Sequence, residues 1–585
     1  MYALQVVNDD YKDLAESISI RKVTTYPLRG SIFDRNGKLL IDNQPVYDIM
    51  VVPRAAKGVD TMGLCKLIGI TREQYNEKMQ VSKTYSWFKS SVFEKQLSPL
   101  TYAQVQESLH KYPGFYAQTR TIRNYQSKSA PHIFGYLGEV SKRDMEKNEY
   151  YELGDYVGKT GIEKQFEEHL RGVKGEEYFV VDKFNRIQSD YKDGSKNVPA
   201  QSGKNLQLTI DIDLQEYGQK LMKNKIGSLI AIEPSSGEIL AMLSGPDYDP
   251  TLLTTRERGQ VTKMMASDPL KPELNRCITA FYPPGSTFKP MVALIGLEEG
   301  VIYPNTFQKC GQYYPIGRSS GVRCSHAHKS CGNIQCAIEQ SCNPYFCEVF
   351  HRSIMNRKYE SIDSAYLAWY DYVRSFGFGE KADIGLPGGI KGNIPSLEYY
   401  NKIYKGWRWK AKTIISLSIG QGEITATPIQ LAQYTAILAN RGVFMPAHVF
   451  KTEKPVEARE ISISPTHFEP VIQGMEDVML KGTGRYNAIP NISSCGKTGT
   501  VENNQGDGED HSVFIGFAPK DNPQIAVIAI IENGGYGSTA AAPIVTLMME
   551  KYISGTIDEK SKYKEQKILE KDFITPRREA LNTSE

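Results

Sequence analysis

Ser286 and Lys289 stand three positions apart immediately after Pro283, Pro284 and Gly285, and an apolar run to Leu297 follows them. Two prolines and a glycine make a turn, so the serine is expected at or near a helix N-terminus. Pro290 is tolerated there because first-turn amides have no intrahelical partner. At this spacing the serine and lysine share one helix face. A serine hydroxyl becomes a nucleophile when a base takes its proton, and a lysine can be that base once burial or a neighbouring cation lowers its pKa. The helix terminus also offers free amides to an oxyanion. Alone the motif is weak, because a capping serine beside a solvated lysine is spelled the same way.

Two more clusters strengthen it. Ser341, Cys342 and Asn343 follow a helical pattern that begins at Ile334, bringing a hydroxyl and an amide within reach of one site. Lys497, Thr498, Gly499 and Thr500 lie on a predicted strand, with Gly496 before the lysine. Glycines on a strand edge let another backbone approach and pair, as when an extended peptide adds to a sheet. Each cluster has a plain structural counterpart, an exposed Ser-x-Asn or a Gly-Lys-Thr-Gly turn. The three together, in this order, point to acyl transfer through a serine.

Six of the nine cysteines, Cys310, Cys324, Cys331, Cys336, Cys342 and Cys347, fall in one short segment, and Cys324, Ser325, His326, Ala327 and His328 offer several donors over a turn-like stretch. Zinc takes thiolate and imidazole ligands in tetrahedral sets, which Cys310, Cys324, Cys342 and one of His326, His328 or Cys331 would supply. Disulfides in an oxidising compartment, or free buried thiols, would account for the same residues.

The elements that position these groups read as an α+β arrangement. Ser228 to Glu233 and Ile239 to Leu243 form a hairpin around Pro234 to Gly237, and Ser512 to Phe517 and Ile525 to Ile531 are strands. Leu206 to Ile210 is strand-like, and Asp213 to Lys225 and Ala540 to Tyr552 are helical. Strands from both ends of the segment are expected in one antiparallel sheet with helices on its faces. Residues 1–204 mix short strands, such as Tyr47 to Val52, with helical stretches, such as Gly161 to Leu170. They show no catalytic constellation and read as a separate docking pedestal. The polar stretch from Lys192 to Lys204 reads as a linker, giving domains 1–204 and 205–560, with 561–585 a charged tail.

Composition sets the remaining bounds. With 40% hydrophobic and 23% charged residues and a net charge of +3, the chain is an ordinary globular one without the basic, aromatic-laced patch of a nucleic-acid binder. No window approaches the roughly 18 consecutive apolar residues of a membrane span, and Met1 to Val6 do not begin a signal peptide, so the sequence reads as that of a soluble chain.

The three motifs resemble the active-site signatures of penicillin-binding proteins and serine β-lactamases. Arg29, Gly30, Ser31, Ile32, Phe33, Asp34, Arg35, Asn36 and Gly37 resemble the start of the N-terminal domain of class B penicillin-binding proteins. Gly158, Gly161, Glu163, Leu170, Arg171 and Gly172 are similar to a second part of that domain, and Gly420, Gln421 and Gly422 to a feature of the transpeptidase. The run from Cys310 to Phe346 resembles the elongation-type subfamily, penicillin-binding protein 2, with the septal homologue as the alternative.

The resemblance implies a β-lactamase-like transpeptidase domain on an elongated N-terminal pedestal that cross-links peptidoglycan stem peptides and is inhibited by β-lactams. It implies Ser286 as nucleophile, Lys289 as base, Ser341 as proton relay and Asn343 orienting the acyl side chain. Lys497 and Thr498 would bind the terminal carboxylate of D-Ala-D-Ala, alongside Gly499, with the amides of Ser286 and Thr500 as oxyanion hole. In some relatives the middle residue of the Ser-x-Asn motif ligates zinc. Cys342 holds that place here, and the family's spacing favours His328 as the fourth ligand with Cys310 and Cys324. No cofactor is expected for catalysis.

The same resemblance implies a periplasmic location at the inner membrane, an anchoring helix ending about where this sequence begins, and elongation-complex partners that include a SEDS-type glycosyltransferase. A β-lactamase, a β-lactam sensor and a D,D-carboxypeptidase share the chemistry and are the alternatives.

Overall fold

Seven consecutive apolar residues, Ile525–Ile531, are buried on both faces, and the central sheet forms around them. In the computed structural model, which describes residues 20–583 apart from 98, 153, 182–186, 256, 319, 405–408, 453 and 504–508, this strand is the middle of five. Met1 to Val6 lie outside the described residues. The order runs Ile239–Gly245, Gly227–Ile232, Ile525–Ile531, His511–Ala518, Cys495–Val501, every neighbour antiparallel. Strands from both ends of the segment therefore share one sheet, as expected. Helices Ile212–Met222 and Ala541–Ser554 pack together on one face, and Pro428–Ala439, buried at every residue, covers the other. Cys495–Val501 ends the sheet, so one edge of the motif strand pairs with no other strand among the described residues.

The N-terminal region packs around more than one core, including a small one of Val140, Tyr151 and Val157. Ile32–Phe33, Leu39–Val51, Ser91–Leu97 and Phe115–Tyr125 share a sheet, and Ile49, Val51, Leu64, Tyr75, Phe93 and Phe115 form a head core of their own. At the base, Ile32, Leu40, Ile41 and Ile133 belong to the same core as the central sheet. Burial of charge is concentrated nearby. Arg29 meets Glu163 at 2.6 Å and Glu167 at 2.6 Å, and Arg123 meets Glu163 at 2.6 Å, with Glu163 fully buried. Burial alone would raise the Glu163 pKa; Arg123 and Arg29 outweigh it and hold it below the usual carboxylate value.

Several elements differ from the sequence reading. The strand at Leu206 is only Leu206–Gln207, and it runs parallel to Ile32–Phe33 in the pedestal sheet, while Leu208 bridges to Phe450. It therefore stitches the two regions together. The stretch from Lys192 to Lys204 is no free linker, because Val198 and Gln201 exchange backbone hydrogen bonds with Glu176 and Val173. The helical stretch from Gly161 breaks at Phe166 into Gly161–Gln165 and Glu167–Leu170. The charged C-terminal segment, read as a tail, contains helices Glu559–Leu569 and Ile574–Thr583, and Ile568 is buried against the core.

Candidate active site

Gly285 begins a single 3-10 turn, Gly285–Phe288, that runs into helix Lys289–Glu298, so Ser286 sits half-buried at a helix start. The turn is tight on both sides. Gly285 has φ +58°, donates its N–H to the Gly420 carbonyl at 2.8 Å, and a Cβ on it would lie 3.1 Å from the Thr500 oxygen. A Cβ on Gly420 would fall 2.4 Å from the Gly285 oxygen. The two glycines thus let the Ser286 turn, the Gly420 loop and the motif strand meet backbone to backbone.

Behind Ser286 the three motifs converge. Lys289 Nζ donates to the Ser341 carbonyl at 2.6 Å, to Ser341 Oγ at 3.0 Å and to Asn343 Oδ1. Lys497 Nζ donates to the same Ser341 Oγ at 2.9 Å and to the Thr498 carbonyl at 3.0 Å. Both lysines are fully buried. Burial pushes the Lys289 pKa down to about 8, and burial together with the Lys289 charge drives that of Lys497 well below its ordinary value. An amine held as Lys289 is can take and return a proton near neutral pH.

Ser341 has φ +53°, the left-handed region. Helix Ile334–Glu339 ends there in a Schellman motif, with Cys342 N–H bonded to the Ala337 carbonyl at 3.0 Å and Ser341 N–H to the Ile338 carbonyl at 3.1 Å. Glycine is the usual occupant of that position. Cys342 then caps helix Asn343–Ile354, so one sharp turn between two helices aims Ser341, Cys342 and Asn343.

Cys310, Cys324, His328 and Cys342 come together, their ligand atoms all within 4.8 Å of one another. Cys310 Sγ is 3.9 Å from Cys324 Sγ and 3.9 Å from His328 Nε2, and Cys324 Sγ is 3.3 Å from His328 Nε2. Tetrahedral zinc with Zn–S of about 2.3 Å sets its sulfurs roughly 3.8 Å apart. His328 Nδ1 donates to the Lys329 carbonyl at 2.7 Å, which leaves Nε2 as the free donor atom, and the Gln312 amide points at Cys310 Sγ at 3.3 Å. All nine cysteines are free thiols. Of the remaining donors considered, His326 lies against Gln340, and Cys331 is buried with its thiol beside Cys336 and Cys342, outside the four-residue cluster.

Over residues 227–550 the sequence matches the family described as penicillin binding protein transpeptidase domain, and over 24–208 the penicillin-binding protein dimerisation domain. The chain belongs to the class B penicillin-binding proteins. Among these penicillin-binding proteins it is 31% identical to the peptidoglycan D,D-transpeptidase MrdA of Acinetobacter baumannii, over 91% of this chain and 81% of that one. It is 29% identical to MrdA of Haemophilus influenzae, over 96% and 90%. The structure of Helicobacter pylori PBP2 in complex with MreC superposes with TM-score 0.76 and 25% identity, covering 92% of this chain and 99% of that one. Pseudomonas aeruginosa PBP2 in complex with WCK 5153 gives 0.67 and 28%, over 92% and 99%.

Some contacts within this penicillin-binding protein have no local signal in the sequence. Thr483 Oγ1 lies 2.8 Å from Thr498 Oγ1, and Asn343 Nδ2 donates to the carbonyl of Arg323, the residue before Cys324. Both pairings depend on loops whose course only the fold fixes.

Proposed function

We propose that the protein is an elongation-type peptidoglycan D,D-transpeptidase with Ser286 as its nucleophile. The observation that carries this reading is the hydrogen-bonded set Lys289, Ser341 and Lys497 behind a half-buried serine, beside a sheet edge open to an extended peptide. A stem peptide adds to Cys495–Val501 as a further strand, its terminal carboxylate at Lys497 and Thr498 and its side chain against Asn343. Ser286 Oγ attacks the penultimate D-Ala carbonyl as its proton passes to neutral Lys289. The amides of Ser286 and Thr500 hold the oxyanion. The C–N bond breaks, the leaving D-Ala amine takes a proton relayed by Ser341, and an ester remains on Ser286. An acceptor amine then attacks the ester, gives up its proton along the same path and frees the serine.

The donor set at Cys310, Cys324, His328 and Cys342 suits a structural zinc. Bound there, the metal would clamp the turn around Ser341 from two sides, through Cys342 and through Arg323 next to Cys324. The chemistry is otherwise that of the side chains. Cys324→Ser is expected to lower both zinc content, measured by elemental analysis, and acylation rate. The family resemblance further supports a periplasmic site of action behind a membrane anchor, a SEDS-type glycosyltransferase as polymerising partner, and docking of an elongation protein such as the MreC seen with the Helicobacter pylori relative. No described helix is long and apolar enough to cross a membrane.

Intact mass and peptide mapping after incubation with a penicillin test the assignment. One long-lived adduct on Ser286, absent from Ser286→Ala, is expected. Labelling elsewhere would remove Ser286 from the mechanism, and rapid drug hydrolysis would make the protein a β-lactamase.

A further inference from the structure

We infer that Glu532 is a positioning residue for acyl transfer, holding the turn that carries Ser286 in register with the strand that carries Thr500. This rests on the reading of Ser286 as nucleophile and of the Ser286 and Thr500 amides as the oxyanion hole. Those two amides come from distant parts of the chain and must converge on one oxygen to within a few tenths of an ångström. Something has to fix their separation.

Tyr282 lies four residues before Ser286 and is buried. Its backbone pairs both ways with Ala426, at 2.9 and 2.8 Å, so the segment entering the turn is already held along its length. Its hydroxyl donates to Glu532 Oε1 at 2.8 Å. Burial raises the phenol pKa well above its ordinary value, so the hydroxyl stays a donor. Arg276 Nε approaches the same oxygen at 3.3 Å, and Arg276 is itself fixed through its amide to Ser244 Oγ at 3.0 Å and through Nη2 to the Leu270 carbonyl at 2.8 Å. One carboxylate oxygen thus gathers a tyrosine from the nucleophile's approach and an arginine from its helix.

The other end of Glu532 belongs to the motif strand's support. Glu532 follows directly on the central strand Ile525–Ile531 and donates its amide to the Ile226 carbonyl at 2.8 Å. The chain then turns through Asn533, at φ +55°, and Gly535, at φ +72°, whose amide bonds to the Asp510 carbonyl at 2.8 Å. It arrives at Gly537, which lies flat on Gly499. A Cβ there would be 2.5 Å from the Gly499 oxygen and 2.9 Å from its nitrogen. Asn487 Nδ2 holds the next carbonyl, Ser538, at 3.0 Å. Glu532 therefore roots the loop that backs Gly499, the neighbour of Thr500, while its side chain grips the run into Ser286. None of its contacts is with the reacting groups, so it acts through position alone.

A misplacement of about 1 Å costs on the order of 100-fold in rate. The test is stopped-flow acylation by a chromogenic β-lactam, separating noncovalent affinity from the acylation rate constant, with melting temperature as a parallel readout. Tyr282→Phe, which keeps the ring, and Glu532→Ala are each expected to lower the rate constant, by about 10-fold and about 100-fold. Affinity should stay near wild type, and Glu532→Gln, which keeps an acceptor for Tyr282, should recover most of the rate. A wild-type rate constant in a folded Tyr282→Phe would overturn the inference. So would a loss confined to affinity. Ser286→Ala is run alongside: if it still labels, the reading of the site fails instead, whatever the other variants do.

Discussion

Lys289 gives all three hydrogens of its ammonium to Ser341 and Asn343, so it can serve Ser286 as a base only after losing one. With its pKa lowered by burial to about 8, acylation of the wild type should rise with pH and level off near that value. Lys289→Ala should acylate at least about 100-fold more slowly at every pH while staying folded, since alanine removes a buried ammonium along with its bonds. An unchanged rate would exclude Lys289 as base. Ser341 offers a second measurement. Because its φ is left-handed, Ser341→Gly should be about 1 kcal/mol more stable than Ser341→Ala in urea unfolding, although both lose the hydroxyl and both acylate slowly. Equal stabilities would mean that the turn relaxes. The residue types of this site were legible in the sequence because the chemistry restricts them. The backbone of Ser341 was not, since a helix end is read from glycine and a serine there gives no such sign. Nor was the link from Tyr282 to Glu532, which spans 250 positions and needs the sheet to exist first.

Among the elements, the pedestal's short helices Gly161–Gln165 and Glu167–Leu170 are held by charge rather than by length. Glu163 is fully buried between Arg29 and Arg123, and removing one partner from such a set typically costs about 3–5 kcal/mol. Glu163→Gln should therefore lower stability by that order in chemical denaturation, while its folded fraction acylates at the wild-type rate. A matching fall in acylation of folded protein would make the pedestal part of the catalytic machinery. Long apolar strands such as Ile525–Ile531 were readable from hydrophobicity alone. At Leu206 a strand was legible but its two-residue length and its partner were not, because that partner lies more than 170 positions away in Ile32–Phe33. The C-terminal helices escaped for a related reason: Glu559–Leu569 buries only Ser561 and Ile568, too few contacts to leave an apolar stripe.

At the scale of the whole molecule, His132 joins pedestal to transpeptidase, its Nε2–H donating to the Pro272 carbonyl at 2.7 Å with Tyr248 edge-on beside it. Burial lowers its pKa from 6.5 to about 4. The neutral ring is thus favoured by folding, and its contribution is full above pH 6.5 and lost as pH falls from there to 4. That loss amounts to about 3 kcal/mol. His132→Gln, which keeps a donor for Pro272 but does not titrate, should show a shallower fall in melting temperature across that window. Parallel curves would place the acid sensitivity elsewhere. Into the head, the longest ladder among the described residues is the eleven-pair match of Leu39–Val51 with Phe115–Tyr125. Ile41 and Tyr125 at one end of that ladder are set in the same core as Leu294 of helix Lys289–Glu298, and Val51 and Phe115 at the other in the core of the head. One strand pair therefore has its two ends rooted in two separate cores, that of the head and that which includes the packing behind Ser286.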